Sequence, residues 1–221
     1  MNRVVSPTGI TYEEYPITFI RRVMTAEERP QFDHLLQQYR AYCLSPGQRC
    51  PLVTVDMCIV YLDEHDHAYV PLGLFDKKRM TVAGHEERLV GAVISGGHVE
   101  ARDDVDLVSA ALREIKEEFH IVDFVVTLTP VAEFTYLDAD PRNRILTHLF
   151  VGVTRQRPKP TNELQQVSLI KLQQLEQIVN DPQSKVPFPD GKEYDLILGH
   201  RDKIFFALRY LRHMQSQLGL H

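Results

Sequence analysis

The residues best suited to chemistry are three glutamates that lie close together in one predicted helix. Glu114, Glu117 and Glu118 occupy positions i, i+3 and i+4, which places them on one face of a helix. Carboxylates on one face repel one another, and a hard divalent cation such as Mg²⁺ or Mn²⁺, which prefers oxygen ligands, would offset that repulsion. A charge-rich face that is simply exposed to solvent is the alternative interpretation of the same pattern.

The helix that carries these glutamates is predicted over 105–120. Arg113 and Lys116 place positive charge among the carboxylates and offset part of their repulsion. Apolar residues at spacings of three and four predict a stripe that packs on the core, on the side away from the glutamates. This predicted stripe consists of Val105, Val108, Leu112, Ile115 and Phe119.

Two glycines precede the helix. Gly96 and Gly97 follow a predicted strand, 90–95, and lead through a short loop into the helix. Because glycine has no Cβ, the backbone there can approach a ligand closely, and a carbonyl can be turned towards a metal ion. An ordinary turn from a strand into a loop is the alternative.

Taken together, Gly97 and the run R-E-I-K-E-E-F-H-I from Arg113 to Ile121 resemble the Nudix box. The pattern of that family is GX5EX7REUXEEXGU, where U is an aliphatic residue, and its REUXEE part is present in full. The resemblance covers roughly residues 52–180. It implies an α/β fold, the Nudix-type α/β/α sandwich with a mixed central sheet.

The loop between the glycines and the helix departs from the family pattern. Asp103 stands where the pattern has its first glutamate, and the interval from there to Arg113 is two residues longer. Asp104 or Asp106 could serve in its place, or the position is lost. His120 stands where the family has a glycine, which normally ends the helix in a left-handed conformation.

The resemblance implies a role for each residue of the box. Arg113 would orient its neighbour Glu114 through a charge-assisted hydrogen bond. Members of the family differ in which carboxylate acts as the general base. The expected metal ligands are the Gly96 carbonyl, Glu114, Glu117 and Glu118, and the expected catalytic residues are Glu114, Glu117, Arg113 and Glu163, the last in a loop beyond the box.

Contacts with substrate phosphates are expected beside the glycines and in a polar segment farther upstream. Segment 75–88 is polar and contains glycine, so we predict a loop there. Its basic residues Lys77, Lys78 and Arg79 could contact the phosphates, and a solvated charged loop is the alternative interpretation. The expected substrate-binding residues are Gly97, His98, Lys78 and Arg79.

The implied function is the metal-dependent hydrolysis of a diphosphate linkage in a nucleoside diphosphate derivative or a similar substrate, by attack of metal-activated water on phosphorus. A non-catalytic Nudix module that binds a nucleotide-like ligand for regulation is the second hypothesis. Isopentenyl-diphosphate isomerase shares the fold, but none of Cys43, Cys50 and Cys58 resembles its catalytic motif. The box does not identify the group attached to the diphosphate.

The alternation of strands and helices predicts an α/β or α+β fold with a mixed sheet, and the length allows one large domain or one domain with extensions at both ends. A Nudix core is expected over 52–180, with an N-terminal extension over 1–51 and a C-terminal helical extension over 181–221. The predicted strands are 17–23, 52–62, 67–72, 90–95, 123–136 and 145–154, and the predicted helices are 25–43, 105–120, 172–180 and 199–217.

The composition of the chain argues against some classes of binding partner. The net charge of −5 argues against binding of nucleic acid through bulk charge. The chain has an odd number of cysteines without a CxxC pair, and it has no apolar run of the length that a membrane span needs. We therefore expect a cytoplasmic protein that binds a small diphosphate-containing substrate, with a homodimer as a possible assembly and no membrane partner.

Overall fold

The structure is a computed structural model, and it describes residues 2–14, 20–22, 30, 53–80, 86–100, 104–134, 146–164 and 166–218. Its strands are β1 (Asn2–Val5), β2 (Thr11–Glu14), β3 (Ile20–Arg22), β4 (Val53–Leu62), β5 (Ala68–Met80), β6 (Glu86–Val93), β7 (Ser95–His98), β8 (Val126–Phe134), β9 (Leu146–Thr154), β10 (Val167–Lys171), β11 (Val186–Pro187) and β12 (Glu193–Tyr194). Its helices are α1 (Leu107–Phe119), α2 (Leu172–Asn180) and α3 (His200–Leu218).

The strands β1 to β10 form one mixed sheet. Its order is β1-β2-β3-β8-β9-β4-β5-β10, with β6 paired to β5 and β7 paired to β4. The pairs β3–β8 and β4–β9 are parallel. The strand β4 runs in register with β9 from Val53 opposite Leu146 to Tyr61 opposite Thr154. A strand buried on both faces must be apolar along its length, which explains the V-T-V-D-M-C-I-V sequence of β4 and makes its one charged residue conspicuous.

Helices cover both faces of this sheet. The helix α1 packs on one face, where Ile115 and Val55 belong to the same buried cluster. The helices α2 and α3 pack on the other face, where Leu175 and Phe206 join Cys58 in a second cluster. Val55 and Cys58 lie on opposite faces because side chains alternate along a strand. The predicted α/β/α sandwich with a mixed central sheet is confirmed.

The prediction of a loop is wrong for 75–80 and 86–88, and 81–85 lie outside the described residues. The strand β5 continues to Met80, and β6 returns beside it as an antiparallel partner from Glu86 onwards. Polar residues can form this ribbon because opposite charges meet across it, with Arg88 bonded to Asp76 at 2.7 Å and Lys78 bonded to Glu86 at 2.6 Å.

The prediction for the buried face of α1 is wrong for three of its five residues, whereas Ile115 and Phe119 are buried as predicted. Val105 is 95% exposed, and Val108 and Leu112 are 38% and 40% exposed. The alanines of the helix have no side chain beyond Cβ, so they let this other face lie close to β4 and β7. As a result, two of the glutamates face the sheet. The buried residues of α1 are Ala110, Ala111, Glu114, Ile115, Glu118 and Phe119.

The N-terminal part contains an antiparallel hairpin, β1 and β2, that the sequence pattern does not predict. The strand β3 lies within the predicted strand 17–23 and pairs with β8. The predicted helix over 25–43 lies outside the described residues. The helices predicted over 172–180 and 199–217 are confirmed as α2 and α3. Among the helices that the structure describes, none is long and apolar enough to span a membrane.

Candidate active site

Helix α1 is fixed at both ends by specific hydrogen bonds. At its start, the Asp106 side chain accepts from the Ser109 backbone N–H at 2.7 Å, and the Ser109 hydroxyl accepts from the Asp106 N–H at 2.9 Å, which is a reciprocal capping box. At its end, His120 takes the left-handed conformation at φ 56°, and its carbonyl accepts from the Gln156 side chain at 2.7 Å. His120 therefore ends the helix as a glycine would, at a cost of about 1 kcal/mol in backbone strain.

Strand β7 brings two glycines against this helix. Gly97 lies so close to Glu114 that a Cβ on Gly97 would overlap the carboxylate. Gly96 donates its backbone N–H to Oε2 of Glu118 at 2.8 Å, and a Cβ on Gly96 would overlap the carboxylate of Asp56 on β4. A side chain at either position would force the strand away from these carboxylates, so the close approach requires glycine.

Two of the glutamates are buried although they are ionisable. Glu114 is 9% exposed and Glu118 is 7% exposed. Burial raises the pKa of Glu118 to about 8, against the lowering effect of the hydrogen bond from Gly96. Burial also raises the pKa of Glu114, although the charge of Arg113 and its hydrogen bond lower it. Carboxyl groups held out of water next to each other favour a bound proton or a bound cation.

The guanidinium of Arg113 joins the helix to the loop before it. It donates to Oε1 of Glu114 at 2.8 Å and to Oε2 of Glu117 at 3.2 Å. It also donates to the backbone carbonyl of His98 at 2.8 Å. Burial lowers the pKa of Arg113, but the hydrogen bond to Asp104 and the charge of Glu114 together raise it above its ordinary value. Arg113 is thus a fixed cation between the carboxylates.

Asp104 supplies the carboxylate that faces Arg113. The two side chains meet at two points, Nε to Oδ1 at 3.1 Å and Nη2 to Oδ2 at 3.0 Å. Burial raises the pKa of Asp104, but hydrogen bonds from Arg113 and from the Glu100 backbone hold it below its ordinary value. Of the alternatives for the altered position of the box, Asp104 therefore pairs with Arg113, Asp106 caps the helix, and Asp103 lies outside the described residues.

Gly96, Gly97, Arg113 and the three glutamates line one cavity of about 480 Å³. The side chain of Glu117 is 48% exposed at its edge. Glu163, from the loop after β9, reaches the same cavity and lies 3.2 Å from the ammonium of Lys77. The residues predicted for the site that the fold brings together here are Gly96, Gly97, His98, Arg113, Glu114, Glu117, Glu118 and Glu163.

The structure places the two lysines of β5 differently. Lys77 lines the cavity, whereas Lys78, which the sequence predicts as a substrate contact, lies outside it and bonds to Glu86 at 2.6 Å. Successive residues of a strand point to opposite faces, so only one of two neighbouring lysines can face the site. The side chain of Arg79 lies outside the described part of the chain.

Several residues of the cavity wall have no counterpart in the predicted site, among them Asp56, Phe75, Leu198 and His200. His200 accepts the backbone N–H of Ile94 on its Nδ1 at 3.1 Å. The sequence carries a signal for two of these residues. Asp56 is the one charge in the apolar run of β4, and His200 begins the run H-R-D-K at the start of a predicted helix.

The divalent cation that the Nudix box implies is compatible with these groups. Glu114, Glu117 and Glu118 offer the oxygen ligands that Mg²⁺ and Mn²⁺ prefer, and a cation would stabilise the charged form of the two buried carboxylates. The two glycines let the backbone of β7 lie directly against the carboxylates of Glu114 and Asp56. Within the described ranges no three His, Cys, Asp or Glu side chains form a ready-made coordination shell, so the glutamates would have to turn to share an ion.

Comparisons with known proteins agree with this architecture. A family model described as NUDIX domain matches residues 62–190, which is more than half of the 221-residue chain. A comparison with curated proteins gave no match.

Several solved structures resemble the chain. A MutT/nudix family protein from Enterococcus faecalis has 18% identity and a TM-score of 0.49, over 86% of this chain and 75% of that one. The NUDIX domain of Shewanella oneidensis NrtR, solved with ADP ribose, has 16% identity and a TM-score of 0.49, over 80% of this chain and 97% of that one. A bifunctional NMN adenylyltransferase/ADP ribose pyrophosphatase from Francisella tularensis, solved with AMP and a Mn ion, has 17% identity and a TM-score of 0.44, over 83% of this chain and 48% of that one.

The span matched by the family model contains the whole box and most of the central sheet. The chain therefore belongs to the Nudix family, which confirms the predicted family and, with it, the predicted class of Nudix-type hydrolase.

Proposed function

We propose that the protein hydrolyses a diphosphate linkage in a nucleoside diphosphate derivative or a similar small molecule, in a reaction that requires Mg²⁺ or Mn²⁺. The observation that carries this proposal is the burial of Glu114 and Glu118 against the Gly96–Gly97 backbone, in the wall of a cavity that Glu117 also lines. A divalent cation held there would screen the phosphate charge and make water a stronger nucleophile towards phosphorus.

The proposed ligands are Glu117, Glu118 and the Gly96 carbonyl, with Glu114 as a further ligand or as the general base. Arg113 engages Oε1 of Glu114 at 2.8 Å. The other oxygen, Oε2, is therefore the one that would take a cation or a proton. Because the same guanidinium is bonded to a buried aspartate, Glu114 is held in one orientation before substrate arrives.

Lys77 is the cation best placed to meet substrate phosphates. Its side chain and that of Glu163 are 46% and 51% exposed, and the two are 3.2 Å apart at the edge of the cavity. An ion pair this exposed contributes little to stability, so a phosphate can displace Glu163 from Lys77 at small cost. Glu163 would then be available as the second candidate for the general base or a ligand. Gly97 and His98 are the proposed contacts on the other wall.

Two apolar side chains in the cavity favour a substrate in which the diphosphate carries an organic group. Phe75 and Leu198 line the cavity beside its charged wall, and the Lys77 ammonium lies 5.5 Å from the centre of the Phe75 ring. A surface of this kind can bury part of a base or a sugar next to the site at which phosphate would bind.

The proposal is tested by incubating the purified protein with a panel of nucleoside diphosphate derivatives, first with Mg²⁺ and then with Mn²⁺, and measuring the release of nucleotide or phosphate. We expect turnover that requires the cation and that falls by orders of magnitude in Glu118→Gln. Glu176→Gln is the matched control, because Glu176 pairs with Arg212 on the helices of the opposite face and its replacement should leave turnover unchanged.

Calorimetry with Mn²⁺ alone separates the remaining outcomes. Binding that is lost in Glu118→Gln, together with turnover of a panel member, supports the hydrolase. Binding of a nucleotide-like ligand without turnover in either cation would replace the proposal with a non-catalytic Nudix module. A wild-type protein that shows no cation binding and no turnover would overturn the proposal.

A further inference from the structure

The first turn of α3 is both charged and buried. His200, Arg201, Asp202 and Lys203 are 2%, 7%, 2% and 3% exposed. Burial of ionisable groups is costly unless each one is paired. The partners of these four residues therefore show what the helix start does.

Two of the four residues attach α3 to the scaffold. Arg201 donates to backbone carbonyls in and after α2, including those of Asp181 at 2.8 Å and Ser184 at 3.0 Å. Asp202 accepts hydroxyl groups from the N-terminal hairpin, among them that of Tyr12 at 3.1 Å. Neither residue lines the cavity.

Lys203 has a partner at the cavity. Its ammonium lies 2.5 Å from Oδ2 of Asp56 and 3.2 Å from the carbonyl of Leu198. The side chains of the Lys203–Asp56 pair are 3% and 1% exposed. A buried ion pair of this kind is often no more stable than well-packed apolar residues of the same size. Folding stability alone therefore does not account for it.

Asp56 leads from this pair to the glutamates. It lies opposite Gly96 in the pairing of β4 with β7, and its Oδ1 occupies the space that a Cβ on Gly96 would need. The N–H of Gly96 in turn bonds to Oε2 of Glu118 at 2.8 Å. A continuous chain of contacts thus runs from Lys203 through Asp56 and Gly96 to Glu118.

The same helix holds the approach to β7 at another point. His200 accepts the backbone N–H of Ile94, two residues before Gly96. Just upstream, the N–H of Ala92 donates to the carbonyl of Asp195 at 2.8 Å, in the segment that leads into α3. The start of α3 therefore fixes the backbone that enters the glycine pair.

We propose that Lys203 is a positioning residue for the active site: it fixes the Asp56 carboxylate, which fixes the Gly96 backbone against Glu118. This inference rests on the proposed function, because it assigns the cation to Glu118 and the Gly96 carbonyl. Asp56 and Lys203 are 147 residues apart, and both lie outside the span 62–190 that the family model matches. On this proposal the first turn of α3 takes part in positioning the active site.

The test uses the double variant Asp56→Asn, Lys203→Met, which removes both charges without leaving either one buried alone. We expect the Gly96 amide, followed by NMR in the metal-free protein, to exchange at least about tenfold faster, with the amides of α2 unchanged. We also expect Mn²⁺ affinity, by calorimetry, and kcat each to fall by about tenfold or more, with KM within about threefold of wild type.

The matched control is Asp202→Asn, in the same turn of the same helix. It weakens the bonds to the N-terminal hairpin, so it should lower the free energy of unfolding and leave Gly96 exchange and Mn²⁺ affinity unchanged. A folded double variant with wild-type Gly96 exchange and wild-type Mn²⁺ affinity would overturn the inference.

Two further results must be distinguished: an inactive wild-type protein and a double variant that does not fold. If the wild-type protein neither binds Mn²⁺ nor turns over a substrate, the proposed function has failed, and the Gly96 exchange rate still decides whether Lys203 positions this backbone. If the double variant does not fold, Lys203→Arg replaces it, since it keeps the charge but moves the point at which Asp56 is held. Unchanged exchange and affinity in that variant would also overturn the inference.

Discussion

Arg113 and Asp104 form a two-point ion pair in which Nε and Nη2 of the guanidinium meet Oδ1 and Oδ2 of the carboxylate at 3.1 and 3.0 Å. The Asp104 side chain is 1% exposed. The pair closes the loop that joins β7 to α1, although that loop is longer than the Nudix box prescribes. A lengthened loop therefore still returns a carboxylate to the arginine that holds Glu114.

Asp104→Asn should reduce turnover without unfolding the protein. An asparagine keeps one acceptor for Arg113 but loses the charged two-point contact, so Glu114 is held less firmly. We expect kcat to fall by about 10- to 100-fold, measured at saturating substrate and cation. Asp106→Asn is the control, because asparagine is also a good helix cap. Equal losses of kcat in the two variants would show that turnover depends on the loop as a whole and not on the Arg113–Asp104 pair.

Glu118→Gln should stabilise the metal-free protein at alkaline pH. The folded pKa of Glu118 is about 8 and its ordinary value is 4.5, so between these values the folded carboxyl retains a proton that the unfolded chain has released. The free energy of unfolding of the wild type therefore falls as pH rises through this window. The variant lacks this loss, and we expect it to be more stable by a few kcal/mol at about pH 8, with the difference vanishing below 4.5.

Urea unfolding with a chelator present measures this difference across the pH range. Glu117→Gln is the comparison, because the Glu117 side chain is 48% exposed and its replacement should alter stability little. Added Mn²⁺ should reverse the ranking, since it binds and stabilises only the protein with an intact site. A Glu118→Gln variant that is less stable than wild type at every pH would contradict the prediction.

Gly97→Ala should abolish cation binding. The new Cβ would overlap the Glu114 carboxylate, so β7 and α1 must separate and the ligands are displaced. Gly191→Ala is the control, in which stability and not cation binding should change. Gly191 has φ +77° with open space around it. Alanine there should therefore cost about 1 kcal/mol of stability through backbone strain and leave the site unchanged. Mn²⁺ titration and thermal unfolding of both variants give the comparison.

Lys77→Met and Lys78→Met should differ although the two lysines are neighbours. Lys77 lines the cavity, and loss of one charge-assisted contact with phosphate should raise KM by about tenfold. Lys78 bonds to Glu86 outside the cavity, so its replacement should leave KM unchanged. Steady-state kinetics on a single substrate suffices, and a higher KM in the Lys78 variant alone would place the substrate on the other face of β5.

The sequence predicts the family and the identity of the glutamates better than it predicts their surroundings. The order R-E-I-K-E-E is itself a strong pattern, so it points to Glu114, Glu117 and Glu118 without any knowledge of packing. Periodicity then suggests that larger apolar residues such as Leu112 face the core. The helix instead buries its alanines, because close contact with β7 is what brings the carboxylates to the glycines.

The contacts from α3 illustrate why the rest of the site is hard to predict. Asp56 in an apolar strand indicates a buried charge, but nothing local indicates its partner, which is 147 residues away. The local sequence around Lys203 does not differ from that around a solvent-exposed lysine near the start of a helix. Only the packing of α3 against β4 distinguishes it, and tertiary packing of this kind is not encoded in a local pattern.

The wide separation of these partners also determines when the site can form. Asp56 belongs to an early strand, and its counter-charge, Lys203, lies on the last described helix. The hydrogen bond from the Tyr12 hydroxyl to Asp202 joins residues that are 190 positions apart. Contacts of such high sequence separation form slowly and late. During synthesis, a nascent chain that has already exposed the complete box still lacks Lys203, the buried partner of Asp56 in the central strand. We therefore expect the site to be complete only once α3 has left the ribosome, and chains that end before α3 should be inactive and open to proteases.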